Sequence, residues 1–347
     1  MVKAIRVHEL GGPQVLKWED VEIGEPNEGE VCVKNKAIGV NFIDVYFRKG
    51  LYYKADTMPF SPGFASFPSS EMWEGLTSSP LFEGMEACGV VTVVGPGVTG
   101  RRVGDLVAYV GTPMGSYAEE QILPENKVVP VPPSIDPIVA ASILLKGMTA
   151  QVLLRQSFKV EPGHTVLVHA AAGGVGSLLC QWANALGAIV IGTVSTKEKT
   201  AQAKDDGCRH VIVYTEEDFV ARVTEITSDN GIDVVYDSVG KDTFQGSLAS
   251  LKTRGYMVSF GQASGAIDPV SLSALAAKSV FLTRPALFQY TAARDKLLEV
   301  AAEVFANVAS SVLCVRVNHK YALSHAAQAH ADLENRKTSG SAVLIIP

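Results

Sequence analysis

A two-domain α/β protein is predicted from three features of the sequence. The first third alternates short strand-like segments with turns, a proline cluster ends it, and strand–helix alternation begins at His164. With 347 residues the chain exceeds what one compact core holds. Hydrophobic residues at 47% against 19% charged supply core material and exclude a disordered chain.

In the first third, Gly11-Gly12-Pro13, Gly24-Glu25-Pro26, Asn27-Glu28-Gly29 and Gly95-Pro96-Gly97 punctuate strands expected over 30–38 and 88–94. Pro130, Pro132, Pro133 and Pro137 stop that pattern and open a helix over 138–154. The domain boundary is placed there: residues 1–134 form a β-rich domain completed by 288–347, and 135–287 form a doubly wound parallel-sheet domain. Within the latter, strands are expected at 165–169, 189–194, 211–214, 234–237, 257–260 and 281–283. Helices are expected at 177–186 and from about 197 to 206. Beyond Pro285 come helices near 292–305 and 324–334, then a strand at 342–346.

Thirty basic residues against 36 acidic give a net charge of −6, a poor footprint for nucleic acid. No run of about 18 apolar residues is read, so no membrane span is expected. The start, Met1 to Val7, goes straight into strand-like alternation without a signal-type apolar region. Five scattered cysteines fit reduced thiols. A cytoplasmic location is expected.

The run His169-Ala170-Ala171-Ala172-Gly173-Gly174-Val175-Gly176 follows a buried strand and precedes a helix. It reads as a variant dinucleotide-binding loop, in which Gly173 admits a pyrophosphate, Gly176 permits close helix packing, and Gly174 and Val175 complete the turn. About 20 residues on, where an NAD site places a carboxylate, stand Ser195, Thr196, Lys197 and Lys199. Two hydroxyls and two lysines suit a 2′-phosphate, so NADPH is favoured over NADH. Glu198 is expected to face solvent.

Taken together, Gly39-Val40-Asn41-Phe42-Ile43-Asp44 with Tyr46, Arg48 and Gly50, the phosphate loop, Tyr236-Asp237-Ser238-Val239-Gly240, Val258-Ser259-Phe260-Gly261 and Thr283-Arg284-Pro285 make a pattern. The chain resembles the NADPH:quinone oxidoreductase (zeta-crystallin-like) family, a zinc-free branch of the medium-chain dehydrogenases/reductases. The resemblance implies a GroES-like β-domain, a Rossmann domain, a cleft for cofactor and substrate, and a homodimer joined through the Rossmann domains. Where metal-dependent relatives carry zinc ligands, this chain has Asn41, Met85 and Leu145, so no metal is expected. His325 and His330, on the late helix, are expected at the surface.

The resemblance also implies site residues. Lys199 would hold the 2′-phosphate and Tyr214 would lie over the adenine–ribose end. Ser238, Val239 and Gly240, with Phe260 and Gly261, would close around the ribose and nicotinamide. Arg336 would return to the phosphate, and Thr149 would touch the cofactor. Tyr46 and Tyr52 would donate hydrogen bonds to the oxyanion developing on a quinone, with Asn41 orienting substrate or ribose. Tyr52 reads equally well as a half-buried aromatic. Without a Lewis acid, the acceptor must already be electrophilic: a quinone, or alternatively an α,β-unsaturated aldehyde or ketone. A non-catalytic NADPH-binding protein is the competing reading from another class.

One stretch departs from the family pattern. Residues 64–84 interrupt a Pro-Gly pair and the strand it normally feeds, and deleting them would restore the run. The stretch reads either as a lid, with Phe67 and Trp73 lining a quinone pocket, or as a gene-model artefact. Replacing Tyr52 by Phe is expected to reduce turnover while leaving NADPH binding intact. Unchanged turnover would remove Tyr52 from the site.

Overall fold

The computed structural model describes residues 1–51 and 81–346. Tyr52, Phe67 and Trp73 lie outside the described residues. The chain divides into two compact units: Met1–Leu145 with Thr291–Phe305 and Val317–Pro347, and Lys146–Tyr290 with Ala306–Arg316.

In chain order the first unit begins with strands β1 (Val2–Val7), β2 (Leu16–Val21) and β3 (Glu30–Val40). Helix α1 (Phe42–Arg48) follows, then β4 (Leu81–Phe82), β5 (Glu86–Val94), β6 (Leu106–Val110), β7 (Glu120–Pro124) and β8 (Val128–Pro130). Helix α2 (Pro137–Gln151) leads into the second unit. That unit holds β9 (Thr165–Val168), α3 (Gly174–Ala185), β10 (Ile189–Val194), α4 (Glu198–Asp205) and β11 (His210–Val213). It continues with α5 (Phe219–Thr227), β12 (Ile232–Asp237), α6 (Phe244–Ser250), β13 (Leu251–Ser259) and β14 (Phe281–Thr283). Last come α7 (Arg294–Ala309), β15 (Val317–Ala322), α8 (Ala326–Glu334) and β16 (Ser341–Ile345).

The first unit's main sheet runs β15-β16-β3-β5-β6-β8, with β7 also on β3. Its long central strand β3 is rich in β-branched residues, and Val31, Val33, Ile38 and Val40 enter the core. The last strand, β16, lies antiparallel to β3, Val343 opposite Gly39, so the chain's late segment completes a sheet begun near its start. A second sheet, β2-β1-β4, takes in the end of the stretch 64–84. Leu81 and Phe82 pair with Val7 and Arg6, and the Gly84 carbonyl accepts the Gly115 amide.

The second unit is a six-stranded sheet in the order β11-β10-β9-β12-β13-β14, and every pairing in it is parallel. Val166, Leu167, Val190, Ile191, Val234 and Val235 are buried, as a sheet covered on both faces requires.

Two expectations are corrected here. The unit division falls at Leu145, inside α2 rather than before it, because the first half of this helix is bonded to the first unit's strands. The apolar segment is also longer than expected: Pro137–Ser157 is long and apolar enough to cross a membrane, and most of its apolar stretch is buried inside the fold. The last turn of that segment, Val152–Ser157, is a π-helix, and the Tyr236 hydroxyl donates to the Leu153 carbonyl there.

Gly39 sits where any side chain would collide with the Glu86 carboxylate and the Ala141 carbonyl. Gly39→Ala is expected to cost about 1–3 kcal/mol, measured by denaturant unfolding.

Candidate functional site

The part of the site in the first unit is built around a buried carboxylate. Glu86 is fully buried at the start of β5, with Met85 beside it. Its Oε2 accepts the Asn41 side-chain amide at 2.9 Å, and its Oε1 accepts the Leu145 backbone N–H at 2.7 Å. Two of the three positions that the resemblance sets against zinc ligands, Asn41 and Leu145, are thus bonded to one acid, and Met85 precedes that acid in the chain. The second hydrogen of the Asn41 amide goes to the Gly39 carbonyl at 3.3 Å, so both Nδ2 hydrogens bond protein. Asn41 also begins α1, its backbone N–H donating to Asp44 Oδ2 at 2.9 Å. On that helix Tyr46 is buried, its ring tilted against Phe42 with centroids 5.9 Å apart.

Behind α1 lies a polar cluster that sequence reasoning missed. His330, expected at the surface, is fully buried, whereas His325 is exposed. His330 lies between Arg48 Nη1 at 3.1 Å and the Tyr117 hydroxyl at 2.9 Å. Its place was signalled by helical spacing: Ala326, Ala329, His330 and Leu333 share one face of α8. Glu83 is 3% exposed, and its Oε2 has no hydrogen-bond partner among the described residues. Burial first, then the Asp44 carboxylate, push its pKa well above the usual carboxylate range.

In the second unit, every candidate cofactor residue from Gly173 to Gly261 lies at or just beyond the carboxyl end of a parallel strand, where open α/β sheets bind ligands. Gly173 is the N-cap of α3, and Gly174, Val175 and Gly176 form its first turn, whose N–H groups lack intrahelical acceptors. A side chain at Gly176 would strike the Ala170 carbonyl. Ala170 itself takes a left-handed φ of 54°, strain stored in the loop.

Ser195 follows β10 half-buried, and the Tyr214 amide donates to the neighbouring Val194 carbonyl at 3.1 Å, which brings Ser195 and Tyr214 together. Glu198 is exposed as expected. Lys197 is exposed and pairs with Glu216 at 3.0 Å, whereas Lys199 is half-buried in the first turn of α4. Thr149 lies half-buried in α2.

The turns at 238–240 and 260–261 are tied to one buried group. Asp237 Oδ1 accepts the amides of Val239 and Gly240 at 2.8 and 3.0 Å. Its backbone carbonyl accepts the Phe260 amide at 2.9 Å, and the Ser238 carbonyl accepts that of Ala263 at 3.1 Å. Asp237 Oδ2 takes the Ser247 hydroxyl at 2.9 Å. His169 bridges Ser247 at 2.9 Å and Thr193 at 3.0 Å, linking three strand ends beneath the phosphate loop.

Arg336, in the first unit, follows α8 with a left-handed φ of 58°. Its amide bonds the Leu333 carbonyl and that of Lys337 bonds Asp332, a helix ending that glycine normally occupies.

Comparison with known proteins places the chain in a family. Residues 27–133 match the alcohol dehydrogenase GroES-like domain, and residues 174–303 match the zinc-binding dehydrogenase family. A quinone oxidoreductase of Pseudomonas aeruginosa is 44% identical, the match covering 99% of this chain and 100% of that one. The chain belongs to the quinone oxidoreductase family of medium-chain dehydrogenases/reductases. Within it, a 2-haloacrylate reductase of Burkholderia is 43% identical over 99% of both chains. The crystal structure of Escherichia coli quinone oxidoreductase complexed with NADPH superposes with a TM-score of 0.88, at 43% identity over 99% of both chains. The family description names zinc, and this donor set does not fit it. An amide engaged with Glu86, a thioether and a leucine stand at the ligand positions, and no three His, Cys, Asp or Glu side chains converge among the described residues.

A proton held by folded Glu83 is one that the unfolded chain releases as pH rises, so stability from this group is full at low pH and lost upward from the ordinary carboxylate range. Glu83→Gln is therefore expected to be more stable than the parent at about pH 8, by on the order of 1 kcal/mol, with the gap closing near about pH 4. Urea unfolding at both pH values measures it.

Proposed function

We propose that the protein is a zinc-independent NADPH:quinone oxidoreductase. One observation carries the reading: Asn41 and Leu145 are both bonded to Glu86 and, with Met85, offer an amide, an aliphatic side chain and a thioether rather than a zinc donor set, which suits an acceptor electrophilic without a Lewis acid. A relative matched over its full length and named quinone oxidoreductase, and one solved with NADPH, support it.

When bound, NADPH supplies a hydride. The amides of Gly174, Val175 and Gly176 face its pyrophosphate, with Gly173 and Gly176 letting the backbone approach. Ser195 and Lys199 hold the 2′-phosphate, Lys197 being engaged with Glu216, and Tyr214 covers the adenine–ribose end. Ser238, Val239, Gly240, Phe260 and Gly261 bound the nicotinamide ribose, and Thr149 and Arg336 add contacts. Tyr46, with Tyr52, donates to the quinone oxygen as it gains charge. Asn41, its amide committed to protein, sets the start of the Tyr46 helix. NADPH, a proton and the quinone give NADP⁺ and the hydroquinone.

The β-rich unit is read as the catalytic domain and the parallel-sheet unit as the cofactor domain. A homodimer is supported by β14, an edge strand that exposes Phe281 and Leu282. Four buried free thiols and a net charge of −6 support a cytoplasmic protein that binds neither membrane nor nucleic acid. The 2-haloacrylate reductase relative favours a second reading, reduction of an activated double bond.

Oxidation of NADPH is to be followed with a quinone, an enone and an alkanal in turn, with and without chelator. Chelator-insensitive turnover of the quinone is expected. Turnover of the enone alone moves the assignment to double-bond reduction, and binding without turnover favours a non-catalytic role. Arg336→Gly is expected to gain about 1 kcal/mol of stability by relieving its backbone, while NADPH affinity falls about tenfold through loss of a charged contact. Calorimetry reads both.

A further inference from the structure

Helix α1 has seven residues, too few to hold its own shape, yet it carries Tyr46. Its last residue is fully buried: Arg48 donates from Nε to the Gly11 carbonyl at 3.1 Å, pairs with Glu334, and places Nη1 3.1 Å from His330 Nδ1. A guanidinium only donates, so His330 Nδ1 accepts. The ring's proton therefore sits on Nε2, which donates to the Tyr117 oxygen 2.9 Å away. Tyr117 in turn donates to Asp44 Oδ2 at 2.9 Å, the oxygen that also takes the Asn41 amide. Burial, reinforced by Arg48, lowers the His330 pKa to about 3, which keeps the ring neutral and this direction of donation fixed.

The hydrogen bonds thus run from the last residue of α1, out through α8 and Tyr117, and back to its first turn. We propose that His330 is a positioning residue: as the Nε2–H tautomer it closes a clasp across α1 and so aims Tyr46 and Asn41. The kinetic consequence rests on the quinone reductase reading; the clasp itself does not.

Amide hydrogen exchange on the whole protein, without substrate, tests the clasp. In Tyr117→Phe, which removes one oxygen, the amides of α1 are expected to exchange about tenfold faster, while the parallel-sheet unit keeps its protection. His330→Leu is expected to do the same. His330→Gln, which can accept and donate at matching places, restores slow exchange. With quinone, kcat is expected to fall about tenfold or more in Tyr117→Phe and His330→Leu, with NADPH affinity within about twofold of the parent, and to recover in His330→Gln. Parent-like α1 exchange in Tyr117→Phe overturns the proposal, as does a His330→Gln protein that behaves like His330→Leu. If His330→Leu fails to fold, Tyr117→Phe alone decides. If the parent turns over no acceptor, the functional reading falls and the exchange data still decide the clasp.

Discussion

The Glu86 carboxylate ties together the elements that frame the first unit's site. Buried polar oxygens need donors, and here the donors come from different elements: the Asn41 side chain ahead of α1 and the Leu145 amide inside α2. Satisfying both oxygens therefore fixes the strand that carries them against both helices. The glycine opposite, Gly39, follows from the same demand, because the space a side chain would occupy belongs to the acid.

The second unit solves its own problem in the same way. Asp237, also fully buried, collects the amides of Val239 and Gly240 and the hydroxyls of Thr243 and Ser247, so the turn beyond β12 is braced by hydrogen bonds within the protein. His169 extends that order to the strand ends on either side. In both units an internal carboxylate organises a loop by taking its backbone or amide donors, which is preorganisation built from hydrogen bonds rather than from packing alone.

Much of this was legible in sequence, for a physical reason. Strands buried on both faces read as continuous apolar runs, so β10 and β12 fall close to where they are expected, and the phosphate loop announces itself through glycines that only a close approach requires. What escaped was β15, whose residues alternate half-buried and exposed with no apolar stripe, and the π-turn after α2, which no local pattern marks. His330 escaped because its burial depends on Arg48, 282 residues earlier in the chain. The helical spacing was visible, but a histidine on such a face is informative only once its partners are known. Glu83 is similar, since its raised pKa is set by burial and by Asp44 from another element.

The pairing of β16 with β3 has a consequence for synthesis. The parallel sheet is contained within a continuous stretch, Lys146–Tyr290, and can begin to form while the ribosome is still at work. The β-rich unit cannot: its central strand waits, one edge open, for a partner separated from it by most of the chain. A nascent chain thus passes through a period in which a nucleotide could already be gripped while the chemistry has no floor. An exposed strand edge in that interval is the point at which a stalled or truncated product would stick to its neighbours.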